Sequence, residues 1–209
     1  MEDTEFNERY RFNESWFDIA IPTWASLFNQ WSSPVENVLE VGCYEGRATV
    51  WLCENVLGEA GVSYDVVDTF GGSLVEEGMK KSANRLKEDA NVIEDNFRHN
   101  ISFFKNVEFN IHKGYSQQIL ANMPQKETYD FIYIDASHRA DDTLVDAYFA
   151  HKMLKKGGII IFDDLGWKDP KNLHAVNSPE LGIKVFNSFY GELYDTVFQD
   201  YQIGFIKKK

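Results

Sequence analysis

Apolar positions along this 209-residue chain fall into two alternating rhythms. Short unbroken apolar runs at 37–41, 62–67, 107–111, 129–134 and 158–162 read as buried strands. Between them, residues 46–57, 82–104, 116–122 and 140–154 carry apolar positions at helical spacing. Such a βαβ series predicts a parallel sheet covered on both faces, joined by right-handed crossovers. A polar, proline-containing stretch follows at 164–177, then a helix opened by Ser178 as cap and Pro179 in its first turn. Two further strands, near 193–199 and 201–207, are separated by almost nothing, so at least one runs antiparallel to its neighbour. Neither an internal repeat nor a low-complexity stretch interrupts the pattern, and the length suits one domain with a sizeable core.

The first 34 residues differ in character. They mix acids with Phe6, Tyr10, Phe12, Trp16, Phe17, Trp24, Phe28 and Trp31, several of them at helical spacing. This segment, 1–34, is expected to be helical and to add core to the flanking helices. A cover over the substrate, or a contact between copies in a homo-oligomer, are the other uses such aromatics would have.

Charge narrows the partners. With 21 basic and 33 acidic residues the chain carries a formal charge of −12, which argues against a nucleic-acid backbone as partner. Cys43 and Cys53 are its two cysteines and suggest reduced structural thiols rather than a disulfide framework or metal knuckle. No leader pattern opens the sequence and no long apolar run crosses a membrane, so a cytoplasmic location is the expectation.

The candidate chemistry lies at strand ends. Val38-Leu39-Glu40-Val41-Gly42-Cys43-Tyr44-Glu45-Gly46-Arg47 runs from a strand through a turn into a helix, and the ligand crevice of an open α/β sheet lies at that edge. Gly42 and Gly46 allow the turn, but Tyr44 stands where a dinucleotide fingerprint would place its second glycine, and Glu45 would meet a pyrophosphate badly. S-adenosylmethionine has no phosphate, and Glu40 can meet its cationic amine. Asp68 ends the second strand, about twenty residues past Gly46, where an acid bridges ribose hydroxyls. At the same edge the fourth strand delivers Asp135 and, three residues on, His138, while the fifth delivers Asp163 and Asp164. Three adjoining carboxylates repel one another, and a hard divalent cation such as Mg2+ between them would relieve this. That ion would lower the pKa of an acceptor hydroxyl, and His138 would take its proton. Asp141 and Asp142 are explained by the dipole of the helix they open.

The runs VLEVGCYEGRAT, VVDTFGGS, YDFIYIDASH and LKKGGIIIFDDLGW together resemble class I S-adenosylmethionine-dependent methyltransferases of the macrocin O-methyltransferase and cephalosporin-hydroxylase-like group, over about residues 35–207. The resemblance implies a Rossmann-like three-layer α/β sandwich occupying 35–209, with a seven-stranded, mostly parallel sheet whose last strand is antiparallel. It places Glu40, Gly42, Tyr44, Glu45 and Gly46 along the cofactor, Asp68 with Thr69 at the ribose, and Ser116 on the adenine side. It also implies Mg2+ on Asp135, Asp163 and Asp164, with Asp135 beside both cofactor and reacting centre, and a sugar-like or other small polar hydroxyl acceptor. Some members carry an aspartate base two residues after the first metal ligand. Ser137 stands there in this chain, which moves the base to His138. The stretch 69–104 resembles the group's variable insertion. A metal-independent methyltransferase acting on nitrogen or oxygen, and a non-catalytic protein retaining the fold, are the rival readings; a nicotinamide oxidoreductase is disfavoured by Tyr44 and Glu45.

Overall fold

The computed structural model of the chain describes residues 9–58, 61–71, 92–169 and 173–208. Seven strands, β1 (Asn37–Val41), β2 (Val62–Asp68), β3 (Val107–Lys113), β4 (Tyr129–Ile134), β5 (Leu154–Phe162), β6 (Tyr194–Gln199) and β7 (Ile203–Lys207), form one sheet in the order β3-β2-β1-β4-β5-β7-β6. The first five are parallel, and β7 runs antiparallel to both β5 and β6. Strand order reverses between β1 and β4, the switch point at which an α/β sheet opens its ligand crevice. The register pairs Val41 with Val67 and Ile134, and Ile134 with Phe162, so the strand ends that carry the candidate residues finish level.

Helices α1 (Ile21–Gln30), α2 (Arg47–Asn55), α3 (residues 92–101), α4 (Ser116–Asn122), α5 (Ala140–Met153) and α6 (Pro179–Tyr190) cover the sheet. Alternating strand residues face opposite layers. On one face Val38, Tyr64, Val66, Phe131 and Tyr133 pack with Trp24 of α1, Trp51 and Leu52 of α2, and Ile93 and Phe97 of α3. On the other, Leu39, Val41, Val67, Ile132 and Ile160 pack with Leu120 of α4, Ala147 and Ala150 of α5, and Ile183 and Phe186 of α6. The three-layer arrangement follows from these two apolar faces.

The aromatic N-terminal segment is in large part core. Trp24 is fully buried, with its ring edge-on to Phe17, Trp51, Phe131 and Tyr133 at centroid distances of 4.9–5.9 Å. Burial of a side chain of this size contributes about 3 kcal/mol, ample reason for α1 to dock. Trp16 is the exception: it is 67 % exposed and leans on Tyr44 of the glycine turn, 5.2 Å away.

Two boundaries differ from the sequence pattern. Strand β3 continues to Lys113, and β5 begins at Leu154 instead of 158, which ends α5 at Met153. Lys155 and Lys156 interrupt the apolar run, yet Leu154 pairs with Tyr129, and Lys155 reaches Asp130 of β4 at 2.7 Å. Of the helix expected over 82–104, residues 92–101 are helical, while 82–91, with most of the insertion at 69–104, lie outside the described residues.

Candidate active site

The turn after β1 is built on left-handed backbone. Gly42 has φ 86°, and a Cβ there would fall 2.0 Å from the carbonyl oxygen of Asp135, so no side chain fits. Gly46 has φ 80° and lies against the ring of Phe97, where a Cβ would come within 2.8 Å. Tyr44 between them has φ 51°, a conformation costing a residue with a side chain about 1–2 kcal/mol. Asp68 offsets it. Its Oδ2 accepts the backbone N–H groups of Cys43 at 2.7 Å and Tyr44 at 2.9 Å, and its Oδ1 accepts that of Phe70 at 2.6 Å. The strand-end acid therefore holds the glycine turn and the start of its own loop together. Thr69 stands beside it, with Oγ1 accepting the N–H of Gly71 at 3.2 Å.

The other acids of the first motif turn inward. Glu40 is buried under α2, its Oε2 accepting Thr49 Oγ1 at 2.6 Å and Tyr64 OH at 2.7 Å, while Oε1 has no hydrogen-bond partner among the described residues. Burial pushes its pKa up to about 7 against the pull of those two donors. Glu45 is buried as well, and its carboxylate accepts Asn13 twice, from backbone N and Nδ2 at 2.6 Å each, and Asn96 Nδ2 at 2.9 Å. That carboxylate is committed to the N-terminal segment and α3, a use that no spacing in the sequence signalled. Ser116, the first residue of α4, donates to Asp146 Oδ2 at 2.9 Å inside the α4–α5 contact. Asp146 is fully buried there with a pKa raised to about 7 by desolvation.

Asp135, Asp163, Asp164 and His138 do come together at the ends of β4 and β5, joined by residues the motif analysis did not single out. Tyr133 lies two residues before Asp135 on the same face of β4, and its hydroxyl reaches both Asp163 Oδ2 and, at 3.2 Å, Asp135 Oδ2. Gln202 Nε2 donates to Asp163 Oδ2 at 2.9 Å, and Asp163 Oδ1 accepts the backbone N–H of Asp164 at 2.6 Å. Asp164 has φ 56°; its Oδ1 accepts Tyr201 OH at 2.7 Å, and its Oδ2 lies 2.6 Å from His138 Nε2. A carboxylate only accepts, so Nε2 of His138 carries a proton, and in the neutral ring the lone pair lies on Nδ1. Nδ1 is buried without a hydrogen-bond partner among the described residues, and the imidazole stacks on Trp167 at 4.1 Å.

No observation supports the expected cation on the three acids. Among the described residues no group of three or more His, Cys, Asp or Glu side chains is placed to hold a metal ion. Asp163 is taken up by Tyr133, Gln202 and the N–H of Asp164, and Asp164 by His138 and Tyr201. Burial, then the neighbouring charges of Asp163 and Asp164, hold Asp135 well above the carboxylate range, and burial and Asp164 raise Asp163 too. The donor set as arranged does not fit Mg2+, and no step is derived through one.

The comparisons with known proteins decide the family. Residues 39–165, from β1 through the end of the acid cluster, match the family model described as a methyltransferase domain. The chain belongs to this methyltransferase family. It is thus an S-adenosylmethionine-dependent enzyme of class I, and its seven-stranded, mostly parallel sheet with antiparallel β7 is the one the resemblance implied. Among solved structures it is similar to the Bacillus cereus O-methyltransferase in complex with S-adenosylhomocysteine, at 18 % identity, covering 97 % of this chain and 86 % of that one, TM-score 0.52. It is also similar to CalS11, a TDP-rhamnose 3′-O-methyltransferase of calicheamicin biosynthesis (16 % identity, 92 % and 81 % covered, TM-score 0.55). The N-methyltransferase NodS from Bradyrhizobium japonicum WM9 is a third (14 % identity, 95 % and 100 % covered, TM-score 0.55). At these identities the likeness establishes the fold. No curated protein matches the sequence. Among the described residues no helix is long and apolar enough to cross a membrane.

Proposed function

We propose that this methyltransferase acts on a hydroxyl of a small polar acceptor, sugar-like in character, with His138 as proton acceptor and without a metal ion. S-adenosylmethionine supplies an electrophilic methyl group on a sulfonium. The residues fit such a cofactor: a glycine turn without a phosphate cradle at the strand switch, Asp68 beside it for ribose hydroxyls, and a buried, unpartnered oxygen on Glu40 as acceptor for an amine. Gly42, Tyr44, Gly46, Thr69 and Asp135 line the same edge, and Ser116 the adenine side, while Glu45 is buried with its carboxylate bonded to Asn13 and Asn96.

The observation that carries the oxygen reading is the Asp164–His138 pair. Methyl transfer to a hydroxyl must shed a proton, and a histidine oriented by a carboxylate on one nitrogen offers the other as base. A buried lone pair without a donor costs about 1–3 kcal/mol, which an acceptor hydroxyl would relieve. An amine acceptor, which carries its own lone pair once neutral, makes less use of such a base. The test is S-adenosylhomocysteine release over a panel of sugars, polyols, phenols and primary amines. Turnover with hydroxyl acceptors that falls about 10^2- to 10^4-fold in His138→Ala, typical for loss of a general base, supports the reading. Turnover confined to amines, or indifferent to His138, overturns it.

A further inference from the structure

The acid cluster hangs on a side chain brought from the far end of the chain. Gln202 immediately precedes the last strand, is buried, and has its amide oriented without ambiguity. The indole N–H of Trp24 can only donate, and it meets Gln202 Oε1 at 2.7 Å. The other end of the amide, Nε2, must then face Asp163 Oδ2 at 2.9 Å and the Tyr133 hydroxyl at 3.2 Å. Asp163, fixed on that oxygen, uses its other one to hold the backbone N–H of Asp164. That bond supports the left-handed conformation of Asp164, φ 56°, which presents its carboxylate to His138.

We infer that Gln202 is a positioning residue for methyl transfer: oriented by Trp24, it fixes Asp163, and through Asp163 the backbone of Asp164 and the ring of His138. It touches neither cofactor nor acceptor in this role. The inference deepens the hydroxyl reading above, in which His138 is the proton acceptor. Its energetic logic is that a hydrogen-bond donor to a buried carboxylate decides where that carboxylate points, and displacement of a catalytic group by about 1 Å is enough to cost about 10^2-fold in rate.

Gln202→Glu tests this with little change of shape. The carboxylate keeps the bond from Trp24 but offers Asp163 an acceptor and a like charge where a donor stood. In the full-length chain saturated with S-adenosylhomocysteine, side-chain 15N spectra are expected to show the Nε2–H tautomer of His138 in the wild type and a mixed or altered signature in Gln202→Glu. Turnover is expected to fall about 10- to 100-fold with cofactor affinity held within about twofold, the pattern of an interaction that serves the transition state alone. Adding Asp163→Asn reverses donor and acceptor across the same bond and is expected to restore both signature and rate. Should Gln202→Glu alone fail to fold, Trp24→Phe, which removes the orienting donor together with part of the buried indole, is read by the same His138 signature. An unchanged signature in either folded variant, or a defect that Asp163→Asn does not repair, overturns the assignment. The spectra judge Gln202 even if no hydroxyl acceptor turns over, an outcome that would sink the hydroxyl reading by itself.

Discussion

Glu45 takes both a backbone and a side-chain hydrogen bond from a single residue, Asn13, so the glycine turn and the N-terminal segment are locked to one another. Asn100 adds to the lock, exchanging bonds with the backbone N and O of Arg11 and donating to the carbonyl oxygen of Glu45. Glu45→Ala removes three hydrogen bonds to a carboxylate, at a cost of about 1–3 kcal/mol. Amide exchange over residues 11–13 should accelerate and the melting point should fall. Unchanged exchange in that segment would show that Asn100 alone is sufficient.

Asp68 holds the glycine turn and, in the function proposed above, the cofactor ribose as well, so its replacement should test both. Loss of charge-assisted bonds to the cofactor ribose is expected to weaken S-adenosylhomocysteine binding roughly 10- to 100-fold in Asp68→Ala. The same change strips Cys43, Tyr44 and Phe70 of the acceptor for their N–H groups, so the variant should also melt lower. Calorimetric titration beside a thermal scan separates the two effects, and native affinity in a folded variant would remove Asp68 from the cofactor site.

Two buried carboxyls make stability fall with rising pH. Glu40 and Asp146 both have folded-state pKa values of about 7, well above those of the unfolded chain, so the folded state binds more protons between roughly pH 4 and 7. Their contribution is complete below about pH 4 and is lost as pH climbs through 7, with an upper bound of about 4 kcal/mol for each group. Denaturant titrations at pH 5 and pH 8 on the wild type, Glu40→Gln and Asp146→Asn should show a shallower pH slope in each variant. Equal slopes in all three proteins would mean that neither group stays protonated on folding.

Removal of divalent ions should change little. With Asp163 and Asp164 engaged by hydrogen bonds, thermal midpoints with a chelator and with added Mg2+, Mn2+ or Ca2+ are expected to coincide. A ligand that binds only the folded state raises the midpoint by mass action, about 2.7 kcal/mol at a hundredfold excess over its dissociation constant. A clear rise with any one of the three ions would return the acids to the role that their sequence positions suggested.

The sequence made legible what depends on neighbours along the chain. The switch between strand and helix rhythms located β1, β2, β4 and the last hairpin to within a residue or two, because β1, β2 and β4 are largely buried apolar runs and the two hairpin strands are joined by a short turn. Asp68, Asp135, His138, Asp163 and Asp164 were found because all sit at strand ends that a parallel sheet must bring to one edge. Glu45 escaped because its partner Asn13 lies 32 residues away in a segment with no strand rhythm. The start of β5 was hidden by two lysines, one of which pairs with Asp130 inside the sheet. Charge repulsion among three acids argued for a cation, but Tyr133 engages two of them by hydrogen bonds, and no pattern of residues distinguishes the two arrangements in advance.

Trp24 and Gln202 stand 178 positions apart along the chain, and their bond ties the first helix to the last strand beneath the acid cluster. A ribosome can release β1 through β5, and these can begin to pair, long before Gln202 emerges. Until then Asp163 lacks its amide donor and α1 lacks a polar anchor for its buried indole. Contacts of such separation form late, since closing the intervening chain costs entropy that only a nearly complete core repays. The reaction centre should therefore mature last in biosynthesis, so that partly made chains hold a sheet but no competent histidine.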